Sequence, residues 1–125
     1  MKEKKNPLYK SFGYAFEGIF TCIRRERNMQ IHCAATVLVV LAGIWLGLSK
    51  TEWRICLILF GLILGLELVN TAVEAVVDLA SEDYHPLAKK AKDTAAGAVL
   101  IAAMAAAVIG VIIFGPKLLA VLGLI

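Results

Sequence analysis

Apolar residues recur at three- and four-residue steps from Leu8 onward: Leu8, Phe12, Phe16, Ile19, Phe20 and Ile23. Lys10, Ser11, Glu17, Thr21 and Arg24 fall between them. This spacing predicts an amphipathic helix over 7–27 that lies in the membrane interface, aromatics toward lipid. The pattern then changes. Met29 to Leu48 is apolar apart from Gln30, His32 and Thr36, about 20 residues and long enough for one crossing. Further apolar runs cover 53–79 and 87–114. Three transmembrane helices are therefore predicted over 29–48, 53–79 and 87–114. Ser49-Lys50-Thr51-Glu52 forms the first connection, with Trp45 and Trp53 on either side as interfacial aromatics. Ser81 to Pro86 forms the second, and Pro86 suits the first position of the helix that follows. Gly115-Pro116 is expected to break the third helix. It leaves an apolar tail over 117–125, too short to span. Met1 to Pro7 is lysine-rich and expected to be mobile.

The second span carries polar residues where a membrane helix should have none. Glu67, Asn70, Glu74 and Asp78 are spaced by three, four and four residues, which puts them on one helix face. Each ionisable group in a bilayer costs about 2.5–3.5 kcal/mol on insertion scales. A helix that leaves the membrane early would explain Asp78 and Glu74. It explains Glu67 poorly, because Leu68, Val69, Val73, Val76 and Val77 carry the apolar face past it. The four residues are expected to face a protected, hydrated interior that holds a cation or moves a proton.

Composition agrees with a membrane protein of one domain. The chain has 125 residues, 60% of them hydrophobic, and a net charge of +3, more apolar than a short soluble domain usually is. Cys22, Cys33 and Cys56 show no zinc spacing and read as small buried hydrophobes. No cleavable signal peptide is expected, since Met1 to Lys10 is polar and the next run is amphipathic. Lys and Arg cluster before the first span and after the second, whereas the connection between those spans has only Lys50 and Arg54. The charge bias puts the N-terminus and the Tyr84–Lys92 stretch in the cytoplasm and the C-terminus outside. Glu26, Glu74, Asp78, Tyr84, His85, Lys92 and Asp93 then share the cytoplasmic face. Glu67 lies deeper, about 16 Å along the helix from Asp78.

Magnesium is held by one or two carboxylates, with phosphate oxygens and water completing its octahedron. Glu26 and Glu74, on different helices, are candidates for that pair. Lys92 can meet a phosphate as a point charge. Asp93 can bind a ribose or an amino group, or favour a helix start. Asn70 can donate to a phosphate or hold a carboxylate. Glu67, buried deepest, is the candidate general base. A proton-accepting carboxylate beside a metal–phosphate site suggests phosphorylation of a lipid alcohol. No Walker motif or kinase glycine loop is present. From residue types alone, a small cation or proton transporter and a structural membrane subunit stay open. Lys89 and Lys90 read better as a lipid-headgroup patch. His32 and His85 read as hydrogen-bonded helpers rather than metal ligands.

The stretch Glu67-Leu-Val-Asn70-Thr-Ala-Val-Glu74-Ala-Val-Val-Asp78, followed by Tyr84-His85 and Ala91-Lys92-Asp93, closely resembles the prokaryotic diacylglycerol kinase family. That family includes the undecaprenol kinases of Gram-positive bacteria. The resemblance runs from about Ser11 to about Ile113. It implies an all-α integral membrane homotrimer, with three transmembrane helices and a surface helix per chain. It implies MgATP as phosphoryl donor, active sites shared between neighbouring chains, and a bacterial cell membrane location. No nucleic-acid partner is implied. By the same resemblance Glu67 matches the general base, and Glu26 and Glu74 match metal ligands. Tyr14, Asp83, Tyr84, His85, Lys92 and Asp93 match nucleotide contacts, with Asn70 and Asp78 as supporting polar positions. Lipid contacts fall on Ser11, Phe12, Gly13, Tyr14, Ala15 and Phe16, on Phe20 to Ile23, on Asn28 to His32, on Trp45 to Leu48, and on Trp53. A basic nucleotide contact that some members carry near the N-terminus falls close to Pro7 here. The Arg27-Asn28-x-x-x-His32 pattern and the Ser11 to Gly18 stretch look more like the Gram-positive branch, which tilts the acceptor from diacylglycerol toward undecaprenol.

The charge bias makes the first testable statement. Single cysteines placed in a cysteine-free background should react with an impermeant reagent in intact cells at 49–52 and not at 84–92. The reverse pattern would invert the topology.

Overall fold

The computed structural model describes residues 5–125. The expectation of mobility for Met1 to Pro7 therefore falls partly, at Met1 to Lys4, outside the described residues. Four helices follow one another: α1 (Leu8–Arg25), α2 (Arg27–Leu46), α3 (Lys50–Ala80) and α4 (Pro86–Val121). The last three are each long and apolar enough to cross a membrane. At ~1.5 Å per residue, the 31 residues of α3 and 36 of α4 extend about 46 and 54 Å. A hydrocarbon core is only about 30 Å thick. The surplus of both helices carries their polar ends beyond it.

Local chemistry accounts for each boundary. Glu26 is the one residue between α1 and α2, with φ −97° and ψ 116°. That extended backbone turns the chain from one helix into the next. Gln30 Nε2 donates to the Arg24 carbonyl across this corner at 3.0 Å. At the far end of α2, Gly47 takes a left-handed conformation at φ 72° and closes the helix. The expected loop over Ser49–Glu52 is shorter than its sequence suggested. Ser49 and Glu52 form a reciprocal capping box, with bonds of 2.9 and 3.2 Å. Lys50, Thr51 and Glu52 are thereby the first turn of α3. Pro86 opens α4 as expected, and His85 caps it by accepting from the Leu87 amide through Nδ1 at 3.1 Å.

Pro116 does not end α4. The helix continues through it to Val121, a correction to the expected break at Gly115-Pro116. A proline removes one backbone bond, and packed neighbours can sustain a helix across that loss. Here Ile113 is buried with Leu48 and Cys56, and Phe114 packs against them. Past the proline, Lys117 pairs with Glu52 at 3.2 Å and ties α4 to the first turn of α3.

The α3–α4 pair is the most extensive helix contact, and α2 packs on α3 near its start. Trp53 differs from the expected interfacial aromatic. It is half-buried and rests on Gly43 of α2, whereas Trp45 is 65% exposed. A Cβ at Gly43 would come 2.7 Å from Trp53 Cη2 and 3.3 Å from Leu48 Cδ2. Gly43→Ala should therefore overpack this end of the bundle at a cost of about 1–3 kcal/mol. Thermal unfolding in detergent, followed by tryptophan fluorescence, should show a lower Tm. An unchanged Tm would mean that the Trp53 ring shifts without cost.

Candidate active site

The polar face of α3 grades from buried to open. Glu67 and Asn70 are 2% and 3% exposed, Thr71 and Glu74 are half-buried, and Asp78 is exposed. Glu67 is thus enclosed by the helices around it. Above the same face, toward the N-terminus of α3, come Ile63, Phe60 and Cys56, which occupy the same side at helical spacing. One side of α3 therefore passes from an apolar stripe, through a buried carboxylate, to open polar groups.

Three cavities follow this side. The first, of about 600 Å³, lies between α2, α3 and α4, with Ala35, Val39, Phe60, Ile63, Ala106 and Gly110 in its wall. The second, about 290 Å³, holds Glu67 and Asn70 with Asn28 and His32 of α2 and Ala96, Val99 and Leu100 of α4. The third, about 320 Å³, lies at the α3–α4 connection and gathers Asp78, Asp83, Tyr84, His85, Lys92 and Asp93. The alanines of α4 make the first two possible, since small side chains leave space between closely packed helices.

His32 Nε2 stands 3.8 Å from Glu67 Oε2. Among the described residues, no lysine or arginine pairs with Glu67. The Asn70 side-chain oxygen is buried and has no hydrogen-bond partner among the described residues. A buried acceptor left in that state calls for a donor. One turn on from Glu67, Cys22 of α1 and Thr71 share a hydrogen bond at 3.4 Å and fix α1 against α3.

Glu74 experiences the negative charges of Glu26, Glu67 and Asp78 together with the positive charge of Lys92. Lys92 Nζ itself donates to Asp78 Oδ1 at 2.6 Å. Glu26 thus brings its carboxylate from the α1–α2 corner toward Glu74 of α3, a correction to its expected place on a helix of its own. Two facing carboxylates repel, and a divalent cation relieves that repulsion. Their hard oxygen donors fit magnesium, which needs only one or two carboxylates when phosphate and water supply the rest. Among the described residues, no group of three or more His, Cys, Asp or Glu side chains is clustered as a self-sufficient metal cage.

The structure brings together two sets of the residues singled out from sequence: Asn28, His32, Glu67 and Asn70 in one cavity, and Asp78 with Asp83, Tyr84, His85, Lys92 and Asp93 in another. Others stand apart within a single chain. Ser11, Phe12, Gly13, Tyr14, Ala15 and Phe16 are exposed along α1, Trp45 is exposed on α2, and none of them lines these cavities. Lys89 and Lys90 border the third cavity region, and Lys89 is paired with Asp93, four residues on. The role of Thr71 and Cys22 was not legible in the sequence, because a threonine and a cysteine on apolar helices carry no signal by themselves.

These features define a class: a membrane protein with three spanning helices, in which a buried carboxylate lies in a cavity adjoining a larger apolar one, with a charged cleft further along the same helix face. The chain belongs to the prokaryotic diacylglycerol kinase family, whose model matches residues 13–114, and it is a lipid kinase. It is similar to an undecaprenol kinase of Bacillus subtilis (strain 168), 47% identical over 117 residues that cover 94% of this chain and 95% of that one. A diacylglycerol kinase of Synechocystis is 42% identical over 116 residues, covering 92% of this chain and 66% of that one. A diacylglycerol kinase of Escherichia coli (strain K12) is 31% identical over 101 residues, 81% and 83% of the two chains. Family membership sets aside the transporter and the structural subunit.

Proposed function

We propose that the enzyme transfers the γ-phosphate of ATP to the hydroxyl of undecaprenol, giving undecaprenyl phosphate. One observation carries the reading. Glu67 is buried in a cavity that adjoins the large apolar one. Glu74, whose charge Glu67 affects, leads along the same helix face to the charged cleft. The 47% identity to an undecaprenol kinase over nearly the full length of both chains supports the choice of acceptor.

The acceptor's hydrocarbon chain lies in the apolar cavity and presents its hydroxyl to Glu67. Glu67 takes the hydroxyl proton as the acceptor oxygen bonds to the γ-phosphorus and the bond from that phosphorus to the bridging oxygen of ADP breaks. Asn70 holds the hydroxyl or the γ-phosphate in line. The cleft around Asp83, Tyr84, His85, Lys92 and Asp93 binds the nucleotide, with Lys92 on a phosphate. Asp78 orients Lys92. Magnesium, held by Glu26 and Glu74, would neutralise the phosphate oxygens when bound. Phosphoryl transfer needs positioning and charge neutralisation more than covalent chemistry, which suits a site of carboxylates, one amide and a lysine.

The same reading includes a homotrimer in the bacterial inner membrane, with N-terminus and nucleotide cleft cytoplasmic. Its support is the exposed apolar surface of a single chain, such as Leu57, Ile58, Val69 and Val76 on α3, and the separation of Tyr14 from the cleft. A neighbouring chain's α1 would complete each site. The α1 helix lies at the interface, with Leu8, Phe12, Phe16 and Phe20 against lipid.

Glu67→Gln should assemble and bind MgATP, since it keeps the shape and removes a buried charge. Its turnover should fall about 10²–10⁴-fold, the usual worth of a positioned general base. Transfer of labelled phosphate from ATP to undecaprenol and to diacylglycerol, beside nucleotide binding, checks both points. Full activity in Glu67→Gln would remove the proposed base. Preferential transfer to diacylglycerol would reassign the acceptor.

Glu26→Gln and Glu74→Gln should each lower turnover and raise the magnesium concentration needed for half-maximal rate, with partial recovery at high magnesium. A magnesium titration of each variant measures this. Wild-type behaviour in either would take that residue out of the metal site.

A further inference from the structure

The apolar cavity and the Glu67 cavity share two wall residues, His32 and Ala103. Where the two cavities adjoin, the wall is formed by an imidazole on α2 and a methyl group on α4. The His32 ring presents Nε2 toward Glu67 at 3.8 Å. The Thr36 hydroxyl, in the wall of the apolar cavity, already donates to the His32 carbonyl at 2.8 Å. The other polar side chains of that wall are the His32 imidazole itself, turned toward Glu67, and the Cys56 thiol, a weak donor. At about 600 Å³ the cavity lies within the usual range for ligand sites. Past that junction the 97% buried Asn70 side chain lines the smaller cavity, its oxygen without a partner among the described residues, and an incoming hydroxyl supplies the donor that oxygen lacks.

This geometry favours one kind of alcohol. A polyprenol hydroxyl ends a single hydrocarbon chain, which passes a narrow opening and asks nothing of an apolar wall. A diacylglycerol hydroxyl sits on a three-carbon backbone with two chains attached. It brings two ester carbonyls into a wall whose Thr36 hydroxyl is already engaged and whose imidazole is turned toward Glu67, and unpaired buried acceptors are costly. We propose that His32 and Ala103 form a neck that determines acceptor specificity, admitting a single-chain alcohol to Glu67 and excluding a two-chain, ester-bearing one. The inference rests on the lipid-kinase reading above and adds the residues that choose the lipid.

The test compares kcat/KM for undecaprenol and for diacylglycerol in the purified full-length enzyme, with KM for ATP measured in parallel. Wild type should prefer undecaprenol. His32→Ala widens the neck and should reduce that preference about tenfold or more, with KM for ATP unchanged. His32→Gln keeps most of the bulk and should keep the preference, whatever its effect on kcat. Ala103→Leu narrows the neck and should raise KM for undecaprenol about tenfold or more. Should His32→Ala fail to assemble, Ala103→Gly opens the neck from the α4 side and should weaken the same preference. An unchanged preference in the widened variants would overturn the proposal, as would a wild type that prefers diacylglycerol. So would an Ala103→Leu variant that loses its oligomeric state and keeps its lipid KM, because a second chain rather than a lipid would then fill the cavity. Transfer by wild type to neither lipid would instead strike the functional reading itself.

Discussion

A carboxylate inside a membrane has to be enclosed, and the enclosure of Glu67 governs the rest of this bundle. An ionisable group facing lipid costs several kcal/mol, so α2 and α4 must both close on the polar face of α3. They do so asymmetrically. The α2 helix contributes Asn28 and His32, which are polar, and α4 contributes Ala96, Val99, Leu100 and Ala103, which are small or apolar. The pocket has its polar α2 groups, beside Ile31, on one wall and only apolar side chains on the other. A lipid kinase, which must bring the hydroxyl at the end of a lipid tail to a phosphate, needs that division.

Helix length supplies the second constraint. The α3 and α4 helices exceed the hydrocarbon thickness, so the carboxylates of one helix face meet different surroundings according to depth. Glu67 and Asn70 are buried, Glu74 is half-buried, and Asp78 is exposed beside Lys92. On the proposed function, a single stripe at three- and four-residue spacing would thereby provide a buried base, a metal ligand and a nucleotide-side anchor. The opposite ends of the two helices are held by different means. Lys117 pairs with Glu52, and Trp53 packs on Gly43. Both contacts fix the register of the bundle without touching the chemistry.

Several expectations changed for local reasons. A capping box converts the expected Ser49–Glu52 loop into the first turn of α3. Packing around Ile113 and the Lys117–Glu52 pair carries α4 through Pro116. Trp53 turns inward because a glycine lies opposite. In each case a residue type with a well-known local habit was overruled by a partner distant in sequence.

The sequence by itself determined the helical spans, from the run of apolar residues, and the polar face of α3, from the spacing of Glu67, Asn70, Glu74 and Asp78. Periodicity and the cost of charge in lipid are properties of one helix, and one helix is legible in a string of letters. The tertiary structure alone decided which helices supply the walls: His32 beside Glu67, Cys22 against Thr71, Ala103 at the junction of two cavities. Those pairings depend on how helices rotate about their axes and how deeply they pack. Small differences in side-chain volume across a helix interface set both, and no spacing within a single helix encodes them.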